Sequence, residues 1–286
     1  MKFRTVTISV FLLCSAALAA DLRLPDKAVA GQDLTIATSG RGDATLYLVG
    51  PGTAFKRQMK LGEEVRVKGE ELRNSGFYTV AIAATDGDRS KDLYVAPAAA
   101  EKINFLARPS RVPVGQPKVI TGTAVVFDQY QNLVISPTPV TFEISVPGAP
   151  AKVERTVAKE GIAFLQTGSG TKAGPGQFVA KVGDNVVRRV VEETAFEPCN
   201  LHFKIHKEKE GLVAETDPVR DCSGNPVPDG TIVTFMSSEP GNKRSTVDAR
   251  IKKGVARAVL PPVQGATISV ASGVVLGNEV RWGGGE

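Results

Sequence analysis

The sequence predicts an all-β protein made of tandem sandwich domains, and three observations support this prediction. The 286 residues include 29 glycines and 18 prolines, which interrupt the chain too often for long amphipathic helices. Short runs such as residues 140–144 alternate apolar with polar side chains, as a strand with one buried and one solvated face requires. A pattern of turn and strand also recurs after 93 residues, which indicates a duplicated domain.

The repeated unit is a polar turn that leads into a β-strand. In each copy an Asp stands four positions before an Asn, and a Val-Thr-Phe strand follows. The second turn opens with Gly224-Asn225-Pro226, residue types that tolerate positive φ or fix φ in a turn. The pairs that match at this offset are Asp128 with Asp221, Asn132 with Asn225, Phe142 with Phe235, Gly161 with Gly254, and Ala163 with Ala256.

This pattern resembles the bacterial immunoglobulin-like domains of the invasin and intimin type, the Big-1-like family. Residues 224–235 are the closest match. Residues 121–145 and 161–182 are similar but lack the Gly-Asn-Pro core of the turn. The resemblance covers the last two thirds of the chain. It implies tandem immunoglobulin-like β-sandwiches that act as a stalk or contact module, and it carries no catalytic residues to transfer.

The beginning of the chain predicts a secretory signal peptide over residues 1–20. Lys2 and Arg4 precede an apolar run at residues 6–13, and small residues follow at 16–20. A basic start, a short apolar middle and small residues before the cleavage site are typical of such leaders. We therefore expect an exported mature chain that begins at Asp21 and has no transmembrane segment, located in the periplasm, on the cell surface or outside the cell.

The mature chain is expected to contain three domains. Residues 96–100, Ala-Pro-Ala-Ala-Ala, are the best candidate for a linker. In the first domain Tyr78 follows Gly76 at the start of a strand, as in the tyrosine corner of immunoglobulin sandwiches. Only the later domains carry the repeat, so the sequence leaves open whether the first belongs to the same family. The expected domains are residues 21–97, 102–193 and 195–282.

The cysteines predict one disulfide, between Cys199 and Cys222. They are the only cysteines left after the leader is removed, and a single pair in an exported protein favours a disulfide over a metal site. The third cysteine, Cys14, lies in the leader. Lipidation of Cys14 is the less favoured alternative, because Leu13 stands where a small residue is needed.

Two histidines, His202 and His206, raise the question of a metal site. On a strand, residues four apart are separated by roughly 13 Å, too far to share one ion. We therefore expect two exposed strand residues and no metal or other cofactor.

Ser169 and Lys172 match the Ser-x-x-Lys pattern of penicillin-recognising enzymes. That chemistry needs the Ser at the start of a helix, whereas the surrounding glycines predict a hairpin loop. We therefore expect no catalytic residue in this segment.

Arg41, Gly42 and Asp43 form a possible integrin-type binding loop, expected at the tip of a hairpin. Gly and Asp are also ordinary turn residues, so the motif has a purely structural interpretation as well.

The charge of the mature chain argues against nucleic acid as a partner. The leader contains two of the 35 basic residues and none of the 30 acidic ones, which leaves 33 against 30. Binding to nucleic acid would require clustered Lys and Arg. We expect protein partners instead, either a host receptor or an envelope assembly.

The function predicted from the sequence is that of a non-enzymatic structural or adhesive protein, acting as a stalk or protein-binding module. The alternative is a periplasmic or envelope subunit that docks onto a secretion, pilus or surface-layer assembly.

Overall fold

The computed structural model describes residues 21–85, 87–209 and 211–283. The predicted signal peptide, residues 1–20, lies outside the described residues. The chain divides into two compact units. Unit 1 consists of Met1–Ala100 and Phe127–Val134, and unit 2 of Glu101–Val126 and Ile135–Glu286.

The first sandwich, in unit 1, is built from eight strands and one 3-10 turn, Gly69–Glu71. The strands are β1 (Asp21–Arg23), β2 (Ala28–Val29), β3 (Leu34–Ser39), β4 (Asp43–Gly50), β5 (Thr53–Lys60), β6 (Glu64–Val67), β7 (Gly76–Ala84) and β8 (Arg89–Ala96). They form sheets of order β1-β3-β6 and β2-β8-β7-β4-β5. Tyr78 is fully buried, and its hydroxyl donates a hydrogen bond to the carbonyl of Asn74 at 2.8 Å, the geometry of a tyrosine corner.

The second sandwich also has eight strands. They are β9 (Lys102–Arg108), β10 (Arg111–Pro113), β11 (Ile120–Phe127), β12 (Thr138–Ser145), β13 (Lys152–Ala158), β14 (Ile162–Thr167), β15 (Gly174–Val182) and β16 (Asn185–Thr194). The sheets have the orders β9-β11-β14 and β10-β16-β15-β12-β13. Counted from the first strand of each sandwich, these orders are the same as in the first, so the two sandwiches share one topology.

The third sandwich differs at one edge. Its strands are β17 (Pro198–Cys199), β18 (Phe203–Glu208), β19 (Gly211–Thr216), β20 (Arg220–Asp221), β21 (Ile232–Ser238), β22 (Arg244–Arg250), β23 (Arg257–Leu260), β24 (Thr267–Ser272) and β25 (Val275–Arg281). The sheets are β18-β19-β23 and β22-β21-β24-β25, with a small pair β17-β20. Among the described residues, no strand pairs with the outer edge of β25, whereas β2 and β10 cover the equivalent last strands of the other two sandwiches.

The prediction of an all-β fold with tandem immunoglobulin-like sandwiches is confirmed. The alternation of apolar and polar residues places one aromatic pair inside each of the later sandwiches. Phe105 and Phe142 have ring centroids 5.7 Å apart, and Phe203 and Phe235 have centroids 5.6 Å apart. All four rings are at most 2% exposed. The boundaries of the three predicted domains stay a prediction, because unit 2 contains the second and third sandwiches together.

Replacing Phe235 by Ala should destabilise the protein by about 3–5 kcal/mol, because it leaves a cavity between the two sheets. Denaturant unfolding measures this change. The matched control is Phe164→Ala, since Phe164 is 66% exposed on β14 and should cost less than about 1 kcal/mol. Equal losses in the two variants would show that Phe235 does not anchor the core.

Candidate functional site

Two loops, each built on an Asp and an Asn, are the most elaborate polar sites in the structure. In both, the Asp carboxylate is buried and its two oxygens accept backbone and side-chain hydrogen bonds. The donors to Asp128 are the N–H groups of Tyr130 (2.9 Å), Asn132 (2.8 Å) and Ala98 (2.9 Å) and the side-chain amide of Asn132 (2.8 Å). The donors to Asp221 are the N–H groups of Ser223 (2.9 Å), Asn225 (2.8 Å) and Phe196 (3.0 Å) and the side-chain amide of Asn225 (3.0 Å).

The backbone of the two loops repeats in the same way. The N–H of Asp128 donates to the carbonyl of Asn132 at 3.0 Å, and the N–H of Asp221 donates to that of Asn225 at 2.9 Å. The residue before each Asn has positive φ, 72° at Gln131 and 82° at Gly224. Because Gln131 adopts this conformation without glycine, the first loop keeps its geometry although it lacks the Gly-Asn-Pro sequence.

The Asn of each loop binds the backbone of the preceding sandwich. Its side-chain amide donates to one carbonyl, and its Oδ1 accepts a hydrogen bond from an N–H two residues further on. Asn132 bonds in this way to Arg73 (2.7 Å) and Ser75 (2.8 Å), and Asn225 bonds to Thr171 (2.9 Å) and Ala173 (2.9 Å). The partner positions in the two sandwiches differ by 98 residues in both cases. We call each Asp–Asn loop a bracket. The second bracket joins the third sandwich to the end of the second within unit 2, and the first makes the same set of bonds inside unit 1.

The predicted disulfide is confirmed, and it reinforces the second loop. Cys199 and Cys222 are bonded, with their Cα atoms 4.9 Å apart. Cys199 follows the second sandwich, and Cys222 is next to Asp221 in the loop. The closed chain of 23 residues stabilises the fold by about 3 kcal/mol in the chain-entropy model. The positions that correspond in the first loop hold Glu101 and Gln129, so that loop has no such bond.

The carboxyl of Asp221 is adapted to being charged inside the protein. Burial alone would raise its pKa, but the hydrogen bonds from Phe196, Asn225 and Ser223 outweigh burial and hold the pKa below its ordinary value. Because the pKa is lower in the folded than in the unfolded protein, Asp221 stabilises the fold above the ordinary carboxyl range. That contribution is lost as the pH falls through the folded-state pKa.

Replacing Asn225 by Ala should destabilise unit 2 by about 2–3 kcal/mol, because it leaves Thr171, Ala173 and Asp221 with unpaired polar groups. Denaturant unfolding of the oxidised protein measures this loss. The control is Asn104→Ala, at an exposed position of β9, with an expected change under about 0.5 kcal/mol. Indistinguishable midpoints for the two variants would contradict the bracket.

Glu193 is an unexpected buried carboxyl beside the second bracket. It lies on β16 and is 0% exposed. Its Oε2 accepts a hydrogen bond from the N–H of Gly170 at 2.5 Å, and its Oε1 is the one buried side-chain oxygen or nitrogen of the described residues without a partner. Burial raises its pKa, which the bond from Gly170 opposes. The corresponding register position in the first sandwich holds Val95.

We expect Glu193 to make stability depend on pH. A raised folded-state pKa means that the protonated form stabilises the fold fully below the ordinary value of about 4.5, and that this stability is lost as the pH rises through the folded-state pKa. Glu193→Gln should remove this pH-dependent loss of stability. The free energy of unfolding of the variant, relative to that of the parent, should therefore increase as the pH rises and then become constant. Glu192→Gln, at the exposed neighbouring position, should track the parent. Parallel curves for Glu193→Gln and the parent would contradict this assignment.

The two histidines do not form a site together. Both are exposed, and Nε2 of His206 lies 2.9 Å from Oε1 of Glu208. Within residues 21–85, 87–209 and 211–283, no group of three or more His, Cys, Asp and Glu side chains is placed to hold a metal ion.

Ser169 has a structural role. Its hydroxyl donates to the carbonyl of Pro113 at 2.8 Å and accepts from the N–H of Gln116 at 2.9 Å. The expected hairpin around it is wrong, because the segment connects β14 to β15, which lie in different sheets.

Arg41, Gly42 and Asp43 are all exposed. Their expected position at a hairpin tip is also wrong. Arg41 and Gly42 lie in the connection from β3 to β4, which are in different sheets, and Asp43 is the first residue of β4. Gly42 has φ of 110°, and its carbonyl accepts a hydrogen bond from the N–H of Leu61 at 2.9 Å.

The sheets and brackets define a protein of tandem immunoglobulin-like β-sandwiches. The chain is similar to the structure of FdeC, an adhesin of Escherichia coli, with a TM-score of 0.60, 16% identity, and coverage of 93% of this chain and 96% of that one. It is also similar to invasin, a bacterial integrin-binding protein, with a TM-score of 0.52, 14% identity, and coverage of 92% of this chain and 59% of that one. At these identities the likeness establishes the fold.

No protein-family model and no curated protein sequence matches the chain. Among the described residues, no helix is long and apolar enough to cross a membrane.

Proposed function

We propose that the protein is an exported, non-enzymatic adhesive protein whose Big-1-like sandwiches serve as a stalk and a protein-binding module. The observation that carries this proposal is the repeated Asp–Asn bracket. A stalk must hold each module on the next, and within unit 2 the second bracket does so through the hydrogen bonds of Asn225 to Thr171 and Ala173 and of the Asp221 carboxylate to Phe196. The similarity to FdeC over almost the whole of both chains supports the same conclusion.

The polar groups that could suggest chemistry are already used for structure. Ser169 is bonded to two backbone groups, and Asp128 and Asp221 are occupied by their own loops. A catalytic site would instead require polar side chains that converge on a cleft and whose hydrogen-bond donors and acceptors are not already used by the fold. This supports a binding protein over an enzyme.

Strand β13 is one sheet edge that offers a protein partner a strand to pair with. It is the last strand of the order β10-β16-β15-β12-β13, and it exposes Val153 (51%) and Val157 (46%). Edge strands are usually protected by charged residues, and on β13 the exposed Arg155 lies between the two valines. Exposed valines on an edge favour pairing with a strand of another protein.

The loop Arg41-Gly42-Asp43 is a second candidate surface. All three residues are exposed, and nothing lies within 4 Å of the position that a Cβ would occupy on Gly42. A receptor of the integrin class would recognise both the guanidinium and the carboxylate, so Asp43→Glu should abolish cell binding that depends on this loop. Asp88→Glu, outside the motif, is the matched control.

The partner itself decides between a cell-surface adhesin and an envelope subunit. Fractionation of the producing cells, with identification of the proteins that co-purify, separates the two. A host receptor captured by surface-exposed protein supports the adhesin, and recovery with a secretion, pilus or surface-layer assembly supports the alternative.

The double variant Val153→Lys/Val157→Lys should reduce capture of the co-purifying partner by at least about tenfold, because two charges on an edge oppose strand addition. Gln177→Lys is the control, since Gln177 is exposed on β15 and is paired with β12 on one side and β16 on the other. His202→Ala should retain full capture. An activity that disappears in His202→Ala while the fold is intact would overturn the proposal in favour of an enzyme.

A further inference from the structure

In residues 195–209 and 211–283, the third sandwich shows no counterpart of a strand that the other two possess. In the first, β2 pairs in parallel with the end of β8, where Ala28 is opposite Val95. In the second, β10 pairs in parallel with the end of β16, where Val112 is opposite Glu193. The equivalent strand of the third sandwich, β25, is the outermost strand of its sheet in the part of the chain that the structure describes.

The side chains under this edge are correspondingly open. In the first two sandwiches the covering strand and the residue after it insert small apolar side chains into the core, as Ala28 and Ala30 or as Val112 and Val114, all buried. In the third, Val280 and Trp282 pack against the core but stay half-exposed, and so does Ile205 on β18. In the described residues no strand covers these three side chains, and we call the partly exposed apolar surface of Ile205, Val280 and Trp282 the slot.

The segment that leads into β18 closes one end of this slot, where the backbone N–H of Asn278 donates to the carbonyl of Leu201 at 3.3 Å. The side chain of Asn278 accepts a hydrogen bond from the N–H of Phe203 at 2.8 Å and donates to its carbonyl at 3.0 Å. Beyond this contact the two strands continue into separate sheets, with Ile205 and Val280 each two residues further on.

The backbone beside the slot is available for pairing. Trp282 uses its N–H and its carbonyl to bond Ala266 and Gly265, on the side of β24. Because successive residues of a strand direct these groups to opposite sides, Arg281 directs its N–H and carbonyl toward the open edge.

We propose that this slot binds an extended segment of a partner protein, which adds to β25 as a parallel strand and inserts two Ala or Val side chains at positions i and i+2. The first and second sandwiches indicate which side chains the bound segment should carry, because Ala28-x-Ala30 and Val112-x-Val114 fill the equivalent place in them. The proposal deepens the proposed function, on which it rests, by naming the chemistry of a partner segment.

A peptide of residues 110–117 (Ser-Arg-Val-Pro-Val-Gly-Gln-Pro) is the natural probe, since it contains β10 itself. Trp282 is the only tryptophan of the sequence, so its fluorescence reports binding at the slot. We expect a saturable change in its emission. In the protein the N–H of Val114 donates to the carbonyl of Thr194 at 2.9 Å. The same peptide N-methylated at Val114 should therefore bind about tenfold more weakly, since it keeps both side chains but loses this donor.

Two variants of the protein complete the test. Arg281→Pro removes the N–H that faces the open edge and should abolish binding, whereas Arg281→Ala should bind as the parent does. Unchanged circular dichroism in both confirms that they fold. The inference is overturned if the emission of Trp282 does not change, if the N-methylated peptide binds equally well, or if Arg281→Pro still binds. It is also overturned if the protein dimerises through this edge, because the occupant would then be a second copy.

The outcome is independent of the proposed function. If the peptide fails to bind but the lysine variants of β13 still reduce partner capture, the adhesive function stands and the slot is refuted. If the peptide binds but no partner is ever captured, the slot stands and the adhesive function is refuted.

Discussion

A buried carboxylate must have every lone pair satisfied, and this requirement shapes the chain around Asp128 and Asp221. Removing an aspartate from water costs several kcal/mol unless fixed donors replace the solvent. Both loops meet the requirement with donors from three places: the loop backbone, the Asn side chain and the segment that leads in from the preceding sandwich. Because the carboxylate needs all of them, Asp221 ties the third sandwich to the segment that leads in from the second through a single charged group.

The Asn is the only residue type that can complete this arrangement. One face of the bracket needs a donor to a carbonyl and an acceptor for an N–H, and a primary amide offers both at the end of a short side chain. An Asp at position 132 or 225 would place a second charge beside the first, and a Ser would be too short to reach both backbone groups. The four-residue spacing of Asp and Asn follows, since it lets the Asp accept from both the backbone N–H and the side-chain amide of the Asn, while the same amide also reaches the neighbouring backbone carbonyl.

The fold could be predicted from the sequence because it is encoded in side-chain alternation, and the bracket only in part because half of it is backbone. The Asp–Asn spacing and the offset of 93 residues were visible, and they gave the duplicated sandwich. The acceptor at Arg73 and the donors at Ala98 and Phe196 were not, since any residue supplies a carbonyl or an N–H. The misplaced hairpin at Arg41 has a related cause, because a turn sequence does not reveal whether the strands it joins share a sheet.

Glu193 and the open edge of β25 mark where the copies have diverged. Alternation along β16 does place Glu193 on the inward face, in phase with Val191, so a polar residue at a core position was a signal present in the sequence. A carboxyl is tolerated there because it can be protonated. Its Oε2 accepts a hydrogen bond from Gly170, which belongs to the same loop as Thr171 and Ala173, the partners of Asn225. The third sandwich differs in the opposite sense: its described residues include no strand that covers β25, and it has a disulfide beside its Asp–Asn loop. A module braced covalently at one end can keep its fold with an incomplete edge, and an incomplete edge is what a partner strand requires.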